Sequence, residues 1–453
     1  MACCKVLVTV LVFFLQSFPV LVPTEATNTA TLPLTNTTKV KVRCVKSERN
    51  ALLRFKQSLM DPSDRLASWV GQECCMWKGV SCDIQTDLGE NDFQGFGTPN
   101  FLGSLEKLQY LNLSLSSLVG IPPSLGNLSN LRYLDIYAYS YPYHTAESSS
   151  VKDLNWVSGL SSLKYLDLSF VDLSLATNCQ LDHNDWVPPF SLIEVELRSC
   201  SLGPNFPTWL ETQKQLEVVI LSSDSISDPI PPWLWNLCSQ LQYLDLSDNQ
   251  IGGNLPRLVS FKSYYSSWTV DFYSSYKYGV VVDLSSNCFN GLLPLWPDVT
   301  HMNLANNLFS GSIPITIGHV MTKLQVLDLS GNAFTGSIPY SITKVKKLLR
   351  LDISDNHLSG KLPDWWYELQ QLHVIDLLGN NLSGGIPPSV CSPPSVFWLR
   401  LSRNNLSGEL PKSLRNCNSL VTLDIGENKI NGSIPQWFGE RLLSLQKLRM
   451  TGI

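Results

Sequence analysis

Four segments begin 24 residues apart: LDISDNHLSGKLP at Leu351, IDLLGNNLSGGIP at Ile375, LRLSRNNLSGELP at Leu399 and LDIGENKINGSIP at Leu423. A fixed period of this length commits a chain to stacked units, each too small to bury its own apolar face. In one unit Leu348, Leu351 and Ile353 are apolar between polar neighbours, and Leu351-x-Ile353 alternates as a strand does. Asn356 follows three residues later. Its amide both donates and accepts, as a turn buried between successive coils requires. Gly360 can take positive φ where the chain bends, and Leu362 before Pro363 is held extended. Five buried aliphatics contribute about 10 kcal/mol gross, and ordering the whole unit costs more than that. Stacking is therefore obligatory.

Alignment on the second strand leucine places repeats at Leu113, Ile136, Leu168, Leu197, Leu221, Leu246, Leu284, Leu304, Leu329, Ile353, Leu377, Leu401 and Ile425, with a partial one at Leu88 and a broken one at Met450. The asparagine column runs through Asn249, Asn287, Asn307, Asn332, Asn356, Asn380, Asn404 and Asn428. In earlier repeats Ser116, Tyr139, Val171, Cys200 and Asp224 take its place, so the N-terminal third is less regular.

The two ends and the cysteines suggest a compartment. Lys5 precedes the apolar run VLVTVLVFFL, and PTEA ends in the small Ala26, the pattern of a secretory signal over 1–26 followed by a linker over 27–43. The run is short for a membrane span. Of twelve cysteines, Cys3 and Cys4 leave with the signal, and the even remainder favours disulfides over metal or redox chemistry. Sequons at Asn36, Asn112, Asn127, Asn381, Asn405 and Asn431 are candidate glycosylation sites of the same route. A net charge of −5 with 16% charged residues excludes a nucleic-acid binder by its electrostatics. The histidines form no metal spacing, and neither a phosphate-cradling glycine motif nor a nucleophile elbow occurs. No metal, cofactor or enzyme activity is expected.

The L-x-x-L-x-L-x-x-N grammar is that of the leucine-rich repeat, and the LSGxIP tail resembles the plant extracellular subclass from Cys44 to about Arg449. That resemblance implies an α/β repeat solenoid, a superhelix with a parallel concave β-sheet and a disulfide-bonded N-terminal helical cap. Residues 44–82 look like that cap through Glu48, Arg49, Leu52, Leu53, Phe55, Lys56, Asp61, Pro62, Trp69 and Trp77. Within it Ser47 can cap a first helix, and Asp61-Pro62 reads as a second helix start. By the resemblance, Cys44 pairs with Cys74 and Cys75 with Cys82. The partners of Cys179, Cys200, Cys238, Cys288, Cys391 and Cys417 stay open.

The stretches NFLGSLEKLQYLNLS and LNWVSGLSSLKYLDLS are similar to plant leucine-rich-repeat receptor-like proteins of the type that perceives fungal xylanase. Members bind a peptide, protein or microbial pattern outside the cell, in defence or development, and signal through a membrane co-receptor kinase. The resemblance implies repeats over 83–435 and an incomplete one over 436–453, and a chain truncated before its C-terminal cap and membrane span. It also implies residence at the plasma membrane in a longer form and in the apoplast otherwise. The sequence after Cys82 enters a repeat midway, so the strand beside the cap is expected to be missing. The alternative is a secreted binder like a polygalacturonase inhibitor, or a soluble decoy.

The concave sheet is the expected binding face. One of its columns, Asp135, Asp167, Asp245, Asp283, Asp328, Asp352, Asp376 and Asp424, reads as a solvated stripe that supports the turns. Departures from the pattern are better candidates. Arg350, Trp398, Arg400 and Arg403 gather on nearby strands, and Trp and Arg are the usual anchors of interfaces. A second group comprises Tyr110, Tyr133, Tyr137, Tyr165 and Phe170, followed by Tyr139, Tyr141 and Tyr143. A third is the irregular SFKSYYSSWTVDFYSSYKYG from Ser260. Trp209, Trp233, Trp365 and Trp437, each two residues after a repeat proline, read as back-side packing.

Overall fold

The computed structural model describes residues 46–58, 67–72, 74, 77, 85–87, 97–116, 120–138, 154–174, 186–262 and 279–452. The expected signal, linker and second cap helix lie outside them, as do Cys44, Cys75, Cys82, the residues Tyr139, Tyr141 and Tyr143, and most of the stretch from Ser260. The chain divides into two compact units, Met1–Leu192 and Ile193–Ile453.

In the first unit the helix Lys46–Ser58 buries Leu52 completely. Ser47 lies inside this helix rather than at its cap, because the helical turn already includes Lys46. Trp69 and Trp77 are both buried and stack with centroids 5.6 Å apart, and the Trp77 indole donates to the Val70 carbonyl at 2.7 Å. Cys74 is buried and disulfide-bonded. Among the described residues four parallel strands follow in chain order: Gln85–Asp87, Tyr110–Asn112, Tyr133–Asp135 and Tyr165–Asp167. The first corrects the expectation of a missing strand, since Gln85, Thr86 and Asp87 pair in register with Tyr110, Leu111 and Asn112. Pairing is made by the backbone, so Thr86 serves where other repeats carry an aliphatic.

Among its described residues the second unit carries eleven strands of the same kind: Glu194–Glu196, Val218–Ile220, Tyr243–Asp245, Val280–Asp283, Val299–Asn303, Val326–Asp328, Arg350–Asp352, Val374–Asp376, Trp398–Arg400, Thr422–Asp424 and Lys447–Arg449. All pair in parallel, each with its chain neighbour, and the central aliphatics Leu327, Leu351, Ile375, Leu399 and Leu423 are fully buried. Tyr243 pairs directly with Val281 across the long interval between their repeats. The strand Lys447–Arg449 forms where the sequence reads as a broken repeat. Ile425 is buried, but Ile434 is exposed and takes no part in the core.

A second parallel sheet of eight short strands runs from Gly252–Asn254 to Lys429–Ile430. Sequence reasoning places only a bend there. The extended LSG segment leaves its own backbone groups free to pair with the next repeat, as Ser359 does with Asn381.

Between the sheets runs the asparagine ladder. Asn356 Nδ2 donates to the carbonyls of Leu329 at 2.9 Å, Ile353 at 3.3 Å and Ser354 at 2.9 Å, and its Oδ1 accepts from the Phe334 amide at 2.9 Å. Each amide thus ties its own turn to the preceding repeat. On the opposite side short helical turns cross the solenoid, and Trp209 is buried there while Trp233, Trp365 and Trp437 are half-buried, in accord with back-side packing. Cys391 and Cys417 form a disulfide between two such turns, with Cα atoms 5.1 Å apart. Cys238 and Cys288 are free, so the even count does not yield a fully bridged set.

Candidate ligand-binding site

The aspartate column is not a solvated stripe. Asp135, Asp167, Asp245, Asp352, Asp376 and Asp424 are buried. Each aspartate clamps the turn that ends its strand, as when Asp352 Oδ1 accepts from the Ser354 amide at 3.2 Å and the Ser354 hydroxyl at 2.7 Å. Turn support is therefore the part of the expectation that holds. The desolvation is felt in the acidities: burial, with Asp352 adding, pushes Asp376 up to about 6 against the opposing pull of Arg400. Burial, with Asp167 adding, takes Asp135 up to about 7.

Arginines meet this column, and one of them interrupts it. Arg350 Nη2 donates to Asp328 Oδ2 at 2.9 Å and Asp352 Oδ2 at 3.0 Å, so it neutralises two carboxylates on adjacent strands. Arg400 stands where the repeats on either side carry Asp376 and Asp424. It bonds Asp376 Oδ2 at 2.9 Å, faces Asp424 at 4.0 Å, and lies 5.9 Å from the Trp398 ring centre. Arg403 reaches across one whole repeat to Asp355. Gly379 makes the reach possible, because a Cβ there would lie 2.2 Å from Asp355 Oδ1 and 3.1 Å from Arg403 Nη2. Arg403 itself takes φ +54°, a conformation that costs a side-chain-bearing residue energy.

Register aligns Arg350, Val374, Trp398, Thr422 and Lys447 along one row over five strands. Trp398 is half-buried, and the guanidinium-bearing side chains of Arg350 and Arg403 are 46% and 47% exposed. The structure thus brings the four C-terminal candidates onto one face. Arg449, which sequence reasoning missed, joins them by pairing with Asp424 at 3.6 Å and with Glu427. The signal was present: like Arg400, it occupies the aspartate position of its strand.

In the first unit Tyr110, Tyr133 and Tyr165 stack ring on ring, 4.2 and 4.1 Å apart, and Tyr133 is buried with its hydroxyl 3.3 Å from Asp135. Tyr137 meets Phe170 edge-on at 5.3 Å. Asn112 takes the aspartate position of its strand, its Oδ1 accepting from the Ser114 amide and hydroxyl at 2.8 and 2.6 Å. Of the other sequons, Asn127, Asn381 and Asn431 are exposed and Asn405 is half-buried, donating to Asn381. Asn36 lies outside the described residues. Among the described residues no group of side chains has the makings of a metal site.

Residues 45–83 match the family described as leucine rich repeat N-terminal domain, and residues 322–382, 240–261, 395–417 and 419–440 match leucine rich repeat families. The repeats are leucine-rich repeats. The chain is similar to receptor-like protein EIX2 of Solanum lycopersicum, 37% identical over 217 residues, which are 47% of this chain and 17% of that one. With EIX1 of the same plant it is 38% identical over 272 residues, 48% of this chain and 25% of the relative. It therefore spans a small part of the length of these curated relatives and resembles plant leucine-rich-repeat receptor-like proteins over that part. Among solved structures, the plant peptide hormone receptor RGFR1 in complex with RGF2 superposes with TM-score 0.53 at 25% identity, over 81% of this chain and 51% of that chain. A TDR receptor does so with TM-score 0.56 at 27% identity, over 82% and 55%. No helix among the described residues is long and apolar enough to cross a membrane.

Proposed function

We propose that this chain recognises a peptide, protein or microbial-pattern ligand outside the cell on the concave sheet of its second unit, and passes the event to a membrane co-receptor kinase. The observation that carries this reading is the row Arg350–Val374–Trp398–Thr422 with Arg400 and Arg403 beside it: an aromatic anchor between guanidinium groups, on strands held rigid by ladder and register. The likeness to receptor-like proteins and to a peptide hormone receptor supports an extracellular setting. Recognition rather than catalysis fits a face whose strand-end aspartates, such as Asp352 and Asp376, are committed to turns and ion pairs. Tyr133 and Tyr137 make a second, less accessible candidate surface in the first unit.

A fungal xylanase is the first probe to titrate, followed by a library of secreted peptides. Trp398→Ala weakens binding by about 1–3 kcal/mol and leaves the melting temperature unchanged. If binding survives that change and is lost only in Tyr137→Ala, the ligand sits on the first unit and this placement fails.

A further inference from the structure

The side of the second unit opposite the arginine row carries an unusual surface. Its short turns Ile317–Val320, Tyr340–Lys344 and Trp366–Glu368 belong to three consecutive repeats. Along them Ile315, Tyr340 and Tyr367 are 79%, 55% and 52% exposed. The Tyr340 ring meets Trp365 edge-on at 6.4 Å, so rings from two successive repeats lie side by side as a ridge, with Tyr367 two residues after Trp365. Exposed apolar rings in series, rather than scattered singly, mark a contact surface.

A cluster of lysines borders the ridge, beside the acidic Asp364 and Glu368. Lys344, Lys346 and Lys347 fall within four residues, all exposed, in a chain whose net charge is −5. Lys344 lies four residues from Tyr340, at the other end of the same short turn, and is exposed as Tyr340 is. Lys346 is paired with Glu368 at 2.6 Å and, with Lys344 adding at longer range, holds that carboxyl below its usual range. This leaves Lys344 and Lys347 without an ion pair among the described residues.

We propose that this ridge and its basic turn bind an acidic polysaccharide, a linear polymer containing uronic acid units. The apolar faces of pyranose rings stack on aromatic side chains, while lysine ammonium groups act as point charges for the carboxylates. A row of rings running from repeat to repeat matches a linear polymer better than it matches a flat lipid surface, which would reward a broad apolar area. The surface lies on the side away from Trp398, so it would hold the protein on a polyanionic matrix with the concave face free.

Affinity electrophoresis of the full chain through gels containing polygalacturonate or dextran tests this. Polygalacturonate retards the chain and dextran does not, and the retardation falls with added salt. The double substitution K344E/K347E weakens the affinity about tenfold, and Y340A/Y367A does the same. Trp398→Ala leaves it unchanged, which separates this surface from the concave one. A circular dichroism melt checks each variant, and if Y340A/Y367A fails to fold, K344E/K347E alone decides. Unchanged retardation in K344E/K347E, equal retardation by dextran, or co-sedimentation with phosphatidylserine vesicles without polygalacturonate binding would each overturn the proposal.

Discussion

Asp224 occupies a position where eight later repeats carry asparagine, and it shows what that residue type is for. Its Oδ1 accepts from the Cys200 amide at 2.7 Å, as an asparagine oxygen would, but its Oδ2 is buried without a hydrogen-bond partner. An asparagine would put an amide there and donate to the surrounding carbonyls, as Asn249 does. Burial pushes the Asp224 carboxyl up to about 7. Because the folded state holds this proton more tightly than the unfolded chain, the associated stability is present below about pH 4 and is lost as pH rises towards 7. Asp224→Asn is expected to raise stability at pH 8 by about 1–3 kcal/mol and to gain much less at pH 5. Thermal melts of both proteins at the two pH values check this; an equal gain at both would mean that the proton plays no part. The substitution was legible in the sequence as a break in the column. Its protonation was not, since that depends on a burial that only neighbouring repeats create.

At the scale of the element, the strands were legible because their aliphatics alternate at a fixed spacing, as at Leu351 and Ile353. The second sheet was not, because LSG segments such as Asn381–Gly384 owe their pairing to backbone groups with no side-chain signature. The aspartate column was misread for a related reason: the alternation that puts Asp352 on the outer face does not reveal that the turn folds back over it. Ladder amides should be the costliest polar groups to lose. Asn356→Ala strands the Phe334 amide, at about 1–3 kcal/mol for the group left unpaired, while the Leu329 carbonyl keeps its bond from Asn332 Nδ2 at 3.1 Å. Hydrogen exchange would show the loss centred on the repeats of Leu329 and Ile353. A uniform change across the second unit would argue against the ladder as a local tie.

For the molecule as a whole, the buried carboxylates act together. Asp135, Asp224 and Asp376 are pushed up to about 7, 7 and 6, and Asp245 and Asp328 are raised too, each chiefly by desolvation. All five hold protons more tightly folded than unfolded, so denaturant midpoints should be higher at pH 5 than at pH 8, against the usual behaviour of salt-bridged acids. Urea titrations at the two values test it, and a higher midpoint at pH 8 would contradict the burial argument. The repeat architecture was legible along most of the chain, whereas the grouping of Arg350, Arg400, Arg403 and Arg449 into one ion-paired face needed the register. The disulfide between Cys391 and Cys417 adds a topological property to that face. Trp398, Arg400 and Arg403 all lie inside the covalent loop it closes. A protease that cuts after Arg400 or Arg403 therefore releases nothing: the nicked protein migrates as one band until a reductant separates it into two.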